Sequence, residues 1–114
     1  MSRRASRRRL RRGKVHSGLL VSGIGSLSTL SAANPAGPEF PPPMQPTEAI
    51  GPFEIVSIAG TIGEVAVRDD RLHPKVHAHI SVSGKDGKVP GGSLRPGSKV
   101  FWKAQVLVQV LAAE

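Results

Sequence analysis

Two histidines separated by one residue, His77 and His79, are the clearest candidates for chemistry in this 114-residue chain. They lie in the segment "VHAHISVS" (residues 76–83), where apolar and polar residues alternate. Because side chains alternate between the two faces of a strand, both imidazoles are expected on the polar face, where they could reach one ion. The spacing leaves three roles open: a metal site, a polar ligand site, and a structural or interface role.

A zinc site needs about three protein ligands, so the pair requires a third. His73 lies four residues before His77, across Pro74, and could curl back towards it. The cofactor of such a site would be zinc or another divalent metal, and no other cofactor is expected. The remaining candidate ligands are the nearby carboxylates, Asp69, Asp70 and Asp86.

Signatures of catalysis are weak. No serine stands in the G-x-S-x-G pattern of a nucleophile elbow. The glycine-rich stretches "GKDGK" and "VPGGSL" do not match the phosphate-binding pattern G-x-x-x-x-G-K-[ST]. The sequence therefore predicts a protein that is not an enzyme.

Charge is distributed very unevenly along the chain. The formal net charge is +8, and residues 15–114 hold as many basic as acidic residues, so the excess lies in the first 14 residues. Such an arm is expected not to fold, because like charges repel each other. It is suited to binding a polyanion, since each Lys or Arg that contacts a phosphate releases counterions. Its basic residues are Arg3, Arg4, Arg7, Arg8, Arg9, Arg11, Arg12 and Lys14.

Three interpretations of this basic arm remain open. The first is contact with nucleic acid or entry into a nucleus. The second is an organelle-targeting segment, because the arm is rich in Arg and Ser and no acidic residue precedes Glu39. The third is a solvated tail or a misassigned start codon.

The rest of the chain reads as short strands joined by turns, with no confident helix. Strands are expected over residues 20–24, with a bend near Gly25, and over residues 53–67, broken at Gly60. Seven prolines within residues 34–52 predict a long loop. Asp86-Gly87 predicts a tight hairpin turn after the alternating segment.

The last segment, "SKVFWKAQVLVQVLAA", has apolar residues on both faces of a predicted strand. Such a strand is usually central in a sheet or covered by a partner. Trp102 is accordingly expected to anchor a core or an interface. The chain has no cysteine, which excludes disulfides, and no apolar run near the roughly 20 residues needed to cross a bilayer. No membrane partner is expected.

Three segments together resemble the plants-and-prokaryotes conserved (PPC or PCC) domain. They are "SGLLVSGIGSLSTLSAAN" (residues 17–34), "GPFEIVSIAGTIGE" (residues 51–64) and "VHAHISVSGKDGKVPGGSLRPGSKV" (residues 76–100). The resemblance implies an α+β domain built on a mainly antiparallel sheet, which generally assembles as a trimer. It also implies association with DNA, because in plants the domain comes after AT-hooks in nuclear DNA-binding proteins. Some prokaryotic members hold a metal through three histidines.

The chain departs from this family pattern in three places. The third histidine is replaced by Ser93 in "GGSL", so only His77 and His79 carry over and the metal site is expected to be degraded. The strand and helix that normally come first are missing, so an N-terminally truncated domain is expected. The arm contains "RRGKVH" and lacks the R-G-R-P centre of an AT-hook, so A·T selectivity is not implied.

The sequence therefore predicts a disordered basic arm over residues 1–16 and a PPC-like domain over residues 17–114, with a proline-rich loop at 34–52. Its predicted function is non-enzymatic DNA binding or association with DNA, as a homotrimer or other homo-oligomer whose arms contact phosphates. The alternatives are an oligomer that binds a metal or small ligand through His77 and His79, or an organelle-targeted relative. The expected location is the nucleus in a eukaryote, or the cytoplasm and nucleoid in a bacterium.

Overall fold

A computed structural model describes residues 15–68 and 71–113 of the chain, with side chains for residues 17–63 and 75–111. The basic residues of the arm and the carboxylates Asp69 and Asp70 lie outside this part. Five strands are present: β1 (Val15–Pro35), β2 (Met44–Arg68), β3 (Arg71–Ser83), β4 (Gly91–Leu94) and β5 (Lys99–Ala113). β1 therefore begins two residues before the predicted border between arm and domain.

All strand pairs are antiparallel, and the sheet order is β2-β3-β4-β1-β5. β1 also pairs with β2, so the first four strands close into a ring and β5 extends the sheet beyond β1. The predicted mainly antiparallel sheet is confirmed. The predicted α+β class is wrong for the described residues, all of whose regular elements are strands, because their Gly, Pro and β-branched residues leave no segment with helical periodicity.

β1 and β2 are longer than the sequence predicts. Neither the bend near Gly25 nor the break at Gly60 ends a strand, since Gly25 pairs with Ala104 and Gly60 pairs with both Leu20 and Ala78. A Cβ on Gly60 would collide with the carbonyl oxygen of His77. Glycine is therefore required at this point because the two strands approach closely. Strand glycines mark such close approach as well as bends and bulges.

The predicted proline-rich loop is also shorter than expected. Residues 36–43 form the loop, closed by a hydrogen bond from the Ala36 N–H to the Pro43 carbonyl oxygen (2.7 Å), whereas residues 44–52 belong to β2. Pro46 and Pro52 fit into this strand because β2 pairs only with β1 before Glu54, which leaves its other edge free. A proline without an N–H is tolerated at such an edge.

The core lies inside the ring of strands. Leu30 and Val82 are the largest side chains that are almost fully buried. β3 contributes every second residue to this core, which confirms the predicted alternation for Ala78, Ile80 and Val82 and leaves His77 and His79 outside. Other members of the core are Leu20, Leu27, Ala32, Phe53 and Ile58.

β5 is at the edge of the sheet and pairs only with β1. It is therefore not a central strand, and its apolar residues are exposed on both faces, including Val106 and Leu107. Trp102 is 82% exposed, so it is not part of the core of a single chain. The prediction that a partner covers this strand stays open.

Candidate functional site

The two histidines lie in the middle of β3, between β2 and β4. His77 pairs with Thr61 on β2, and His79 pairs with Ala59 on β2 and with Ser93 on β4. The burial of Ala78 and Ile80 on the opposite face fixes the outward orientation of both imidazoles. Their ring centroids are 5.1 Å apart, with an angle of 70° between the rings. The predicted pair is therefore brought together on one surface.

Ser93 lies beside this pair on β4, at the position where the family pattern has its third histidine. It is paired with His79 on one side and with Ala33 of β1 on the other, and it is 8% exposed. The side-chain hydrogen bonds formed within the described part of the chain do not include the Ser93 hydroxyl. A buried hydroxyl normally has a partner, so this one is available to a water molecule or a ligand.

A surface depression of about 480 Å³ contains these three residues and also Asn34 and Arg95. Asn34 donates hydrogen bonds to the Thr47 hydroxyl (2.9 Å) and to the Gly91 carbonyl oxygen (2.8 Å), and thereby ties β1 to β2 and β4 at this depression. The backbone N–H of Arg95 donates a hydrogen bond to the Ser31 carbonyl oxygen (2.9 Å), which holds the chain as it leaves β4. This volume falls in the range of small-ligand sites.

Sequence reasoning missed Arg95 and Asn34 as members of the site. Arg95 had a usable signal, because it follows Ser93 by two residues and would share its face if the strand continued. Asn34 had no local signal, since it comes close to β4 only through the pairing of Ala32 and Ala33 with that strand.

The residues of the depression do not fit the three-histidine metal site that the family resemblance implies. Among the described side chains, no group of three His, Cys, Asp or Glu could hold a metal ion. His77 and His79 supply two donors, and serine replaces the third. Zinc sites generally use three or four protein ligands, so the described set falls short by at least one.

His73, the predicted substitute ligand, lies in β3 with its backbone paired to Ala66. The strand is extended there, which puts its Cα roughly 13 Å from that of His77. The side chain of His73 is outside the described part, so its role as a ligand stays a prediction.

A second depression of about 770 Å³ lies where β5 crosses β1. The register of the two strands shifts between Gly25 and Leu27. Here the backbone N–H of Trp102 donates a hydrogen bond to the hydroxyl oxygen of the buried Ser26 (3.0 Å). Phe101 and Trp102 are exposed at this depression, beside Lys103. The surface is continuous with the apolar faces of β5.

The comparison with family models matches residues 8–112 to the Plants and Prokaryotes Conserved (PCC) domain. No significant match was found among curated proteins. Among solved structures, the chain is similar to a plant- and prokaryote-conserved protein of Pyrococcus horikoshii, with 25% identity and a TM-score of 0.65 over 88% of this chain and 63% of that protein.

Two further structures have the same fold. A metal-containing protein of Archaeoglobus fulgidus is 27% identical, with a TM-score of 0.58, over 88% of this chain and 64% of its own. A candidate DNA-binding protein of Ralstonia eutropha is 20% identical, with a TM-score of 0.62, over 87% of this chain and 62% of its own. The chain therefore spans less than two thirds of the length of each of these three proteins.

The closed antiparallel sheet with two outward histidines on its third strand defines a small β-domain with a depression on its surface. The family match extends over most of its length, and the chain belongs to the PCC domain family. The resemblance seen in the sequence is thereby confirmed.

Proposed function

We propose that this protein is a non-enzymatic DNA-binding or DNA-associated protein, which assembles through its PCC domain and contacts phosphates with its basic arm. The observation that carries the proposal is the concentration of the entire net charge in the first 14 residues of a chain that belongs to this family. Eight basic residues without an acidic one form a strong phosphate-binding segment.

The names of similar proteins support the same role. The Ralstonia eutropha protein with this fold is named a candidate DNA-binding protein, and so is a Bacteroides thetaiotaomicron protein of the same fold. Their identities of 20% and 22% carry the fold alone, so the arm remains the main argument for DNA as the partner.

Assembly is supported by the surface of β5. Its apolar residues are exposed on both faces, and its outer edge has no partner strand within the described part. Exposed apolar surface of this kind is typical of an interface between subunits. A trimer would bring three arms to one DNA molecule and raise the avidity of the complex without any new contact.

The proposal is tested by measuring duplex DNA binding at several salt concentrations by fluorescence anisotropy. A chain that uses all eight arm charges is expected to show a slope of log K against log salt of about −7. Replacing the basic residues of the arm by Gln should remove most of the affinity and flatten this slope. The residues to be replaced are Arg3, Arg4, Arg7, Arg8, Arg9, Arg11, Arg12 and Lys14.

The matched control replaces four exposed lysines of the domain by Gln and should leave most of the slope in place. They are Lys85, Lys88, Lys99 and Lys103. An unchanged slope after neutralisation of the arm would show that the arm does not bind DNA. Mass spectrometry of the native N-terminus tests the organelle-targeting alternative, which predicts that roughly the first 30 residues are cleaved.

A further inference from the structure

The depression beside His77 and His79 contains donors of hydrogen bonds and positive charge, and no described carboxylate lines it. Arg95 carries a permanent charge and five N–H donors in a planar arrangement that matches a phosphate or carboxylate. A divalent cation would be repelled by this positive charge and would have only two imidazole ligands. The electrostatics of the depression therefore oppose a cation and favour an anion.

We infer that this depression binds a small oxyanion, with the chemistry of a phosphate or a carboxylate, through Arg95, His77, His79 and the Ser93 hydroxyl. The Arg95 guanidinium supplies the charge-assisted hydrogen bonds. Each imidazole offers at least one N–H in either of its neutral tautomers. The site does not use the basic arm and is independent of the DNA-binding proposal.

Ser93 is the second observation that points to a ligand. Its side chain is more than nine-tenths buried, it lines the depression, and its hydroxyl has no hydrogen-bond partner among the described residues. An unpaired buried hydroxyl is costly, and an oxyanion would accept its proton in a hydrogen bond. A serine is therefore suited to the depression as an anion site, whereas it is a poor ligand for zinc.

The backbones of three of these donors are set by strands β3 and β4, and that of the fourth by a hydrogen bond just after β4. His79 and Ser93 are direct partners in the β3–β4 pairing, and His77 is two residues further along β3. Arg95 follows β4 at once, and its backbone is held by Ser31. An anion in the depression would thus meet four groups whose backbones are already fixed.

The test follows the imidazole NMR signals of all four histidines of the 114-residue chain while inorganic phosphate is added at constant ionic strength. Signals of His77 and His79 are expected to shift in a saturable way. The signal of His73 serves as an internal reference for weak binding of phosphate elsewhere, whereas His16 lies two residues after Lys14 and reports binding to the basic arm. Acetate is the second probe, and the tighter of the two identifies the ligand as phosphate-like or carboxylate-like.

Arg95→Gln is expected to weaken phosphate binding about tenfold, as removal of a charge-assisted hydrogen bond does. Lys88→Gln is the matched control, because it removes one exposed positive charge outside the depression and should leave the affinity unchanged. Ser93→Ala should weaken binding by a smaller factor, since a neutral donor is lost.

Three results would overturn the inference. One is a phosphate response that is equal at His73, His77 and His79, or absent for both probes. Another is an equal loss of affinity in Arg95→Gln and Lys88→Gln. The third is stoichiometric binding of zinc by His77 and His79, seen when zinc chloride replaces the anion in the same titration.

Discussion

Ser93 lies opposite His79 in the β3–β4 pairing, where the family pattern has its third histidine. The side chains of paired residues on neighbouring strands lie on the same face and approach closely. A histidine at position 93 would therefore stand beside the two imidazoles that the chain already has. The chain thus differs at one residue from the three-histidine set that the family resemblance implies, and this difference can be reversed.

Ser93→His is expected to raise the bound zinc to about one ion per chain, because it completes a set of three imidazole ligands. Elemental analysis of protein purified without an affinity tag measures the ratio. Ser93→Ala is the control and should bind no more metal than the natural chain. If the histidine variant is folded and equally free of metal, the three positions do not converge on one ion.

Leu30 is 2% exposed and is among the largest fully buried side chains of the core. Leu30→Ala is expected to lower the free energy of unfolding by about 2–5 kcal/mol, since it removes buried apolar atoms and leaves a cavity. Val89→Ala is the control, because Val89 is 55% exposed in the connection between β3 and β4, and should change it by less than about 0.5 kcal/mol. Urea denaturation at one protein concentration measures both, and similar losses would contradict this description of the core.

At the scale of elements, two glycines in β2 differ sharply in their surroundings. A Cβ on Gly60 would collide with the His77 carbonyl oxygen and with the Ala78 backbone, whereas the nearest atom to a Cβ on Gly63 is the Lys75 carbonyl oxygen at 3.9 Å. Both residues pair with β3, but Gly60 also pairs with Leu20 of β1, whereas the described pairings of Gly63 are with β3 alone.

Gly60→Ala is expected to destabilise the protein by about 1–3 kcal/mol, because β2 and β3 must move apart to admit the methyl group. Gly63→Ala should change stability by less than about 0.5 kcal/mol. Thermal unfolding followed by circular dichroism compares the two melting temperatures. Equal melting temperatures would show that β3 does not approach β2 closely at Gly60.

The same elements show how far sequence reasoning reaches. The alternation over residues 78–82 and the turn at Asp86-Gly87 were predictable, because their signals are local: a period of two, and a glycine at positive φ (76°) in a tight turn. The lengths of β1 and β2 were not, since Gly60 and Pro46 normally interrupt strands. Only the pairing with strands distant in the sequence shows that one serves close approach and the other lies on a free edge.

The candidate site was likewise predictable only in part. The common orientation of His77 and His79 follows from the spacing of two along one strand. The position of Ser93 beside the two histidines could be expected only from the family pattern. The position of Asn34 at the site depends on the pairing of β1 with β4. Residues that meet across strands distant in sequence leave no periodic signal in a single chain.

At the scale of the whole molecule, charge and apolar surface are separated along the chain. The net charge lies in the first 14 residues, whereas the exposed apolar residues of the final strand include Val106, Leu107, Val110 and Leu111. This separation would let the domain assemble through β5 while the arms remain available to DNA. It also allows assembly and DNA binding to be tested with different substitutions.

Assembly predicts a mass in solution of about 36 kDa, the mass of three chains of 12.0 kDa each. Leu107→Lys is expected to shift the protein towards a single chain, because it puts a charge at an exposed leucine of the strand that a partner would cover. Leu107 is 60% exposed in the single chain, so this change should not unfold the domain. Light scattering coupled to size-exclusion chromatography measures the mass, and circular dichroism checks that the fold is kept.

Val89→Lys is the matched control for this experiment, since it places the same charge at an exposed valine that is not part of β5. Its mass should equal that of the natural chain. A natural chain that elutes as a single chain of 12.0 kDa would rule out assembly through β5. Should Leu107→Lys and the natural chain instead form oligomers of equal mass, the interface lies elsewhere, because burying an unpaired lysine in a contact is costly.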